Sequence, residues 1–198
     1  MQIVLIFWLN SFLQWIVELD QQFFLIINQK LTNPFFDVVM PFLRHSTNWI
    51  PLYIALLIFV VIKFKRKVII WIAFAAVTIL LTDQLSSHII KPLVARARPC
   101  NDLIFASQVR LLLKNCSPGF SFTSSHACNH FGIAVYIFLT LSSFIKNWKY
   151  LFLFWAAAIS YAQVYVGVHY PIDIFFGALL GSFIAYFTAK FANKKLIP

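Results

Sequence analysis

Lys91, Arg96 and Arg98 fall within the nine residues KPLVARARP (91–99) of a chain that is 61% hydrophobic and 11% charged. A cation in or beside a bilayer is expensive, so a cluster kept there marks an anion site, and lipid phosphate is the anion a membrane surface offers. The alternative for such residues is plain anchoring at the edge of a membrane span. Two more stretches carry reactive groups. FTSSH (122–126) holds Ser124, Ser125 and His126, and QVYVGVHYPID (163–173) holds Gln163, His169 and Asp173. Together the three stretches supply what phosphoryl transfer needs. Lys and Arg neutralise phosphate oxygens, hydroxyls and backbone N–H groups at a helix start cradle them, and two histidines offer a nucleophile and a proton donor.

Taken singly, several of these residues have plainer roles. Asp173 follows Pro171 closely and suits a helix N-terminus, and His169 suits a membrane interface. His126 and His130 are four apart, but no acidic residue stands between them as in HExxH and no third ligand is evident. His130 is therefore expected to be structural, and neither a metal nor a cofactor is expected. Asp83 and His88 are read as partners of Lys91 or as polar groups satisfied inside the protein.

The elements that must position these residues are helices in a membrane. The mean hydropathy is +0.82, more than a soluble domain of 198 residues would carry. The net charge of +10 sits in short runs between apolar segments, which argues against nucleic acid as a partner. Residues 1–17 lack the basic start and the cleavage site of a signal peptide. Asn10, Ser11 and Gln14 share one helical face there, which fits an interfacial helix or a short first span. Residues 21–48 read as two interfacial helical pieces broken at Pro34 and Pro41. Five apolar segments follow, at 49–62, 68–90, 123–145, 150–168 and 171–189, against the roughly 20 residues a crossing needs. The expected fold is all-α: one membrane domain of five to six transmembrane helices, with N-terminal interfacial helices over 1–48, a catalytic bundle over 49–189 and a cytoplasmic tail over 190–198.

Lys63, Lys65, Arg66 and Lys67 fall in the first loop, Lys146 and Lys149 in the third, and Lys190, Lys194 and Lys195 after the last span. Five crossings put all three groups on one side, which the positive-inside rule makes cytoplasmic. The loop over 91–122 and the turn around His169 then lie outside. Lys91, Arg96, Arg98, Arg110 and Lys114 break the topology rule, which favours anion binding over anchoring. Cys100 and Cys116 both fall in that outer loop, where a bridge and two free thiols are both open. Cys128 falls in a span and reads as packing.

In order and spacing the three stretches resemble the type 2 phosphatidic acid phosphatase family, whose motifs are KxxxxxxRP, PSGH and SRxxxxxHxxxD. Lys91, Arg98 and Pro99 match the first motif in full. Ser124 and His126 match the second, with Thr123 and Ser125 in place of Pro and Gly. His169 and Asp173 match the third, with Ala162 and Gln163 in place of Ser and Arg. The resemblance covers about 68–189 and implies that His169 attacks phosphorus, Asp173 fixes its imidazole, and His126 protonates the leaving oxygen and then activates water. Lys91, Arg96, Arg98, Ser124, Ser125 and Gln163 would hold the phosphate, with no metal required. Gln163 is the departure that matters, because a neutral amide lacks the bidentate charge of arginine; Arg96, Arg110 and Lys114 are the candidates to replace it. The implied substrate is a phospholipid or polyprenyl phosphate in the bilayer, such as undecaprenyl diphosphate, phosphatidate, phosphatidylglycerol phosphate or a lipid A phosphate. The implied location is a bacterial inner membrane, with the site facing the periplasm. A catalytically impaired relative that binds phospholipid, and a lipid phosphotransferase, are the alternatives. The sequence is silent on oligomeric state.

Overall fold

Asn33 followed by Pro34 is a helix-start signal, and it works as one: the Asn33 side chain accepts from the Phe36 N–H at 2.8 Å. The structure is a computed structural model that describes residues 2–196, with side chains from residue 11 onward. Among the described residues it contains helices and no strand. Helix α1 (Gln2–Leu25) continues as a π-helical turn over Ile26–Lys30, and α2 (Pro34–Arg44) follows. Then come α3 (Ile50–Phe64) and α4 (Val68–Asp83). The latter is prolonged by a π-helical stretch, Gln84–Ile90, and the short α5 (Lys91–Val94). After a loop with two 3₁₀ turns come α6 (Ser125–Thr140), α7 (Ser142–Ile145), α8 (Lys149–Tyr165) and α9 (Pro171–Leu196).

Each of the five apolar segments expected from sequence is helical over most of its length. By length and composition Ser46–Asn101 and Pro171–Leu196 qualify as membrane spans, and the bent pair Ser125–Thr140 with Ser142–Tyr165 qualifies as a third. Two breaks interrupt these runs at basic residues, Lys65 and Lys146, with φ of 49° and 47°. The last helix runs on through the expected tail as far as Leu196, and the final two residues of that tail lie outside the described residues. The Asn10 side chain of the polar face expected near the N-terminus also lies outside them.

Helices α6 and α9 form the tightest pair, and glycine explains it. A methyl group on Gly181 would sit 2.1 Å from the Cys128 carbonyl oxygen, and one on Gly177 would sit 2.6 Å from that of Ser124. The spacing G-x-x-x-G lets two backbones approach as in membrane helix pairs, where close packing does the work that the hydrophobic effect does in water. Toward the basic turns, Trp71, Tyr136, Ile137, Leu141, Ala185 and Ala189 fill the space between α4, α6 and α9. Several buried polar side chains there are paired. Trp71 donates to Thr140 at 2.9 Å, Tyr136 donates to the Trp71 carbonyl at 2.9 Å, and Thr78 pairs with Thr188 at 2.7 Å.

The N-terminal segment is more than an interfacial appendage. Phe24 packs on Phe105 and Tyr170, while Met40 joins Ala162, Tyr165, Val166 and Val168 in a buried cluster. Asn28 is fully buried; its amide donates to the carbonyls of Arg110 and Tyr165 at 2.8 and 2.9 Å and its oxygen accepts from the Arg110 N–H at 2.8 Å. The segment thus covers the turn that carries His169. Cys100 and Cys116 are joined in a disulfide that closes the loop over the same end, and Cys128 is a buried free thiol.

Candidate active site

Everything from Ala162 to Tyr170 is buried, so the α8–α9 turn is held as firmly as a core element. Its chain reverses at Gly167, and His169 is 2% exposed. One imidazole nitrogen, Nε2, accepts from Arg98 Nη1 at 3.0 Å, and the same guanidinium nitrogen donates to the Val168 carbonyl at 3.1 Å. This leaves the proton on Nδ1, which lies 3.4 Å from Asp173 Oδ2. That contact is too long and off-line to count as a formed hydrogen bond, and Nδ1 has no other partner. Burial pushes the imidazole down to about 4, against the opposing influence of Asp173, so His169 is neutral at physiological pH.

Asp173 sits in the first turn of α9, where Pro171 starts the helix. Its Oδ2 also accepts from the Tyr170 N–H at 2.9 Å, and its Oδ1 accepts from Arg96 Nη1 at 2.7 Å. The carboxylate is therefore fixed from two directions. Arg96, expected among the phosphate ligands, is otherwise occupied. Its second nitrogen bonds Asp20 of α1 at 2.6 Å, and its guanidinium lies 4.0 Å over the Tyr170 ring. Asp20 in turn accepts from the Ile172 N–H at 2.9 Å, so α1, the loop and the start of α9 share one ionic network.

Helix α6 brings the second stretch to the same place. Ser124 is its N-cap, accepting from the Ala127 N–H at 3.4 Å, while the Ser124 N–H donates to the Asp173 carbonyl at 3.0 Å. Ser125 pairs with Ser87 at 2.7 Å. His126 lies within electrostatic reach of His169, Lys91 and Arg44. His130 is structural in form: its Nδ1 bonds the His126 carbonyl at 2.8 Å and its ring meets Trp155 edge-on at 5.0 Å. Lys91 is half-buried and feels the charges of Arg98, Asp173 and Asp83. Asp83 accepts from Ser87 and Asn129, whereas His88 is exposed and takes no part.

Gln163 is fully buried beside this cluster, and its Nε2 has no partner. None of the three bases expected to replace the missing arginine touches it. Arg96 is bound as described. Arg110 is paired with Asp37, which also accepts from Tyr165 at 2.7 Å, and Lys114 is exposed. Its contact is Arg44, at the end of α2, whose Nε donates to Gln163 Oε1 at 3.4 Å. Asp20 and Arg44 are the two residues the motif comparison missed, because both lie in the segment before the first motif.

The first and third motifs meet at His169, and the second enters beside them. The profile of the PAP2 superfamily matches residues 71–197. The chain belongs to this superfamily. PAP2 relatives extend the match over most of its length. A lipid A 4'-phosphatase of Bacteroides thetaiotaomicron is 33% identical over 93% of this chain and 83% of its own. An undecaprenyl-diphosphatase of Sulfolobus acidocaldarius is 33% identical over 72% of this chain and 62% of its own. The crystal structure of Aquifex aeolicus LpxE superposes with a TM-score of 0.60 at 28% identity, covering 85% of this chain and 93% of that one. Among its described residues the chain is all-helical, with apolar helices long enough to span a membrane, and it belongs to a phosphatase family with relatives named for lipid substrates.

Proposed function

We propose that this chain hydrolyses a lipid phosphate through a phosphohistidine on His169. The observation that carries the reading is the pair of contacts on one imidazole: Arg98 Nη1 at 3.0 Å from Nε2 and Asp173 at 3.4 Å from Nδ1. A neutral ring with its proton on the nitrogen nearer a fixed carboxylate presents a lone pair on the other nitrogen, and that lone pair faces the cation that would hold the phosphate. Nε2 attacks phosphorus as the bond to the lipid oxygen breaks, and His126 delivers a proton to that oxygen. His126 then takes a proton from water as the water oxygen attacks, the P–N bond breaks and phosphate leaves. Charge on the equatorial oxygens falls to Arg98 and Lys91, helped by backbone N–H groups at the α6 start. With those cations in place the reaction is proposed to need no metal.

A phosphorylated glycolipid of the lipid A class is the favoured substrate, on the strength of the Bacteroides relative and the length of that match. The Sulfolobus relative favours a second reading, a polyprenyl diphosphate. An apolar groove of about 950 Å³ runs between α2, α3 and α8, past Met40, Leu43, Trp49 and Trp155, and suits hydrocarbon from either. The proposed topology has five crossings, one each for α3, α4, α6 with α7, α8, and α9. The basic turns at Lys65 and Lys146 then face the cytoplasm and the site faces the periplasm across an inner membrane.

The test is phosphate release by detergent-purified protein with EDTA present, from lipid A 4'-phosphate, undecaprenyl diphosphate, phosphatidate and phosphatidylglycerol phosphate. Release that survives EDTA and disappears in His169→Ala supports the reading, and the preferred lipid decides between the two substrate classes. Release that EDTA abolishes, or that His169→Ala retains, refutes it.

A further inference from the structure

We propose that Arg44, delivered by α2 from outside the three motifs, is a phosphate-binding residue of the active site and takes the place of the arginine missing at Gln163. The inference rests on the reading above that this cleft binds phosphate. Three observations carry it. First, Arg44 Nε donates to Gln163 Oε1 at 3.4 Å, so the guanidinium is in contact with the position from which the family's arginine would act. Second, Arg44, Lys91 and Arg98 have no carboxylate within ion-pair distance among the described residues, whereas Arg96 and Arg110 both do. Arg44 and Lys91 each lie within electrostatic reach of Arg98 and of His126. Half-buried like charges brought together without an ion-pair partner raise the free energy of the folded protein, and a doubly charged phosphate is the group that relieves it. The carboxylates near these cations are already engaged, Asp173 by Arg96 and His169 and Asp83 by Ser87 and Asn129. Third, Arg98 Nε and Gln163 Nε2 are buried donors with no acceptor. A buried unpaired donor is costly, and two beside one cationic cluster mark where an anion's oxygens belong.

The arrangement has a chemical logic. Arginine binds two phosphate oxygens at once through its planar fork, which lysine cannot do and glutamine cannot do with charge. Bonding Gln163 through Nε leaves both terminal nitrogens of Arg44 without a protein partner among the described residues. The amide that replaces the motif arginine thus serves as a rest for a guanidinium arriving from another helix.

The experiment combines turnover with binding of inorganic phosphate, read as phosphate-induced protection against thermal unfolding in detergent. Wild type, His169→Ala, Arg44→Ala, Arg44→Lys and the double variant Arg44→Ala/Gln163→Arg are compared. The expected result is that Arg44→Ala lowers kcat/KM on the order of 10²-fold, the scale for loss of one transition-state donor. It should also abolish protection by phosphate, which His169→Ala keeps. Arg44→Lys should recover part of both, and the double variant, which returns the guanidinium to the motif position, should recover most. Unaltered turnover and phosphate protection in Arg44→Ala overturn the proposal, as does a double variant no better than Arg44→Ala. If Arg44→Ala does not fold, the Lys and double variants decide on the same criteria. Failure of the underlying reading looks different: wild type then neither releases phosphate from any lipid nor gains protection from it, and the role of Arg44 falls with it.

Discussion

Arg96 donates to Asp173 at 2.7 Å from one terminal nitrogen and to Asp20 at 2.6 Å from the other. A cation so committed orients the acid beside the proposed nucleophile, while a helix outside the three motifs orients the cation. The carboxylate–imidazole contact is still long at 3.4 Å, and such contacts tighten when substrate arrives only if the carboxylate cannot swing away. Asp20→Asn and Arg96→Ala are therefore expected to lower kcat on the order of 10² fold, the scale of misplacing a catalytic group by about 1 Å, with KM little changed. A rise in KM at constant kcat would instead return Arg96 to the phosphate.

How much of this was legible beforehand depends on where the signal lay. Lys91, Arg98, His126, His169 and Asp173 announce themselves by type and spacing, and the five apolar segments by length. Asp20 and Arg44 do not, because a single charge in an amphipathic stretch has no spacing to match. In the proposed topology Arg44, which precedes the first apolar segment, falls on the same side as Lys91 and Arg98, where the positive-inside rule disfavours all three. That placement makes it a candidate to replace the missing arginine. Arg96 is ambiguous for the opposite reason: nothing in KPLVARARP distinguishes a guanidinium facing phosphate from one facing two carboxylates, and only the fold brings Asp20 and Asp173 to it.

The His169 environment sets a pH dependence. Burial places its folded pKa at about 4, below the ordinary 6.5. The reactive form is neutral, so the acid limb of kcat/KM that belongs to His169 should lie near pH 4, where protonation removes the lone pair. Stability follows with a definite sign. Below pH 6.5 the unfolded chain takes up a proton that the folded site refuses, so stability from this residue falls as pH drops from 6.5 to 4 and is constant above. Thermal unfolding of wild type and His169→Gln across that range checks it: the variant should lose this part of the pH dependence. An acid limb at 6.5 would place the nucleophile in water.

The disulfide between Cys100 and Cys116 closes a loop with a sequence separation of 16 over the site end. The chain-entropy model gives about 3 kcal/mol for a loop of this length, lost when the unfolded chain is no longer constrained. Cys100→Ser/Cys116→Ser, or reduction, should lower the unfolding temperature while the pre-formed site keeps most of its kcat. Leu111, Leu112 and Leu113 hold the loop to Val166 and Val168 independently, and the Leu112 N–H donates to the Val166 carbonyl at 3.2 Å. Loss of activity without loss of stability would show that the bridge shapes the site itself.

The contact of α6 with α9 couples folding to catalysis most directly. Gly177 faces the carbonyl of Ser124 and Gly181 that of Cys128, so the two glycines set the distance between the helix that carries His126 and the helix that carries Asp173. Backbone cannot give way as a flexible side chain can. Gly181→Ala, with its methyl 2.1 Å from a carbonyl oxygen, must push the helices apart, at a cost of roughly 1 to 3 kcal/mol for overpacking. Gly177→Ala, nearer the site, should show a smaller loss of stability and a larger loss of kcat, because it displaces the Ser124 N–H from the Asp173 carbonyl that it bonds at 3.0 Å. Comparing unfolding temperature and kcat for the two variants separates packing from positioning. Equal losses of both in both variants would mean that the pair acts as one rigid unit, with no graded coupling from the middle of α9 to its active end.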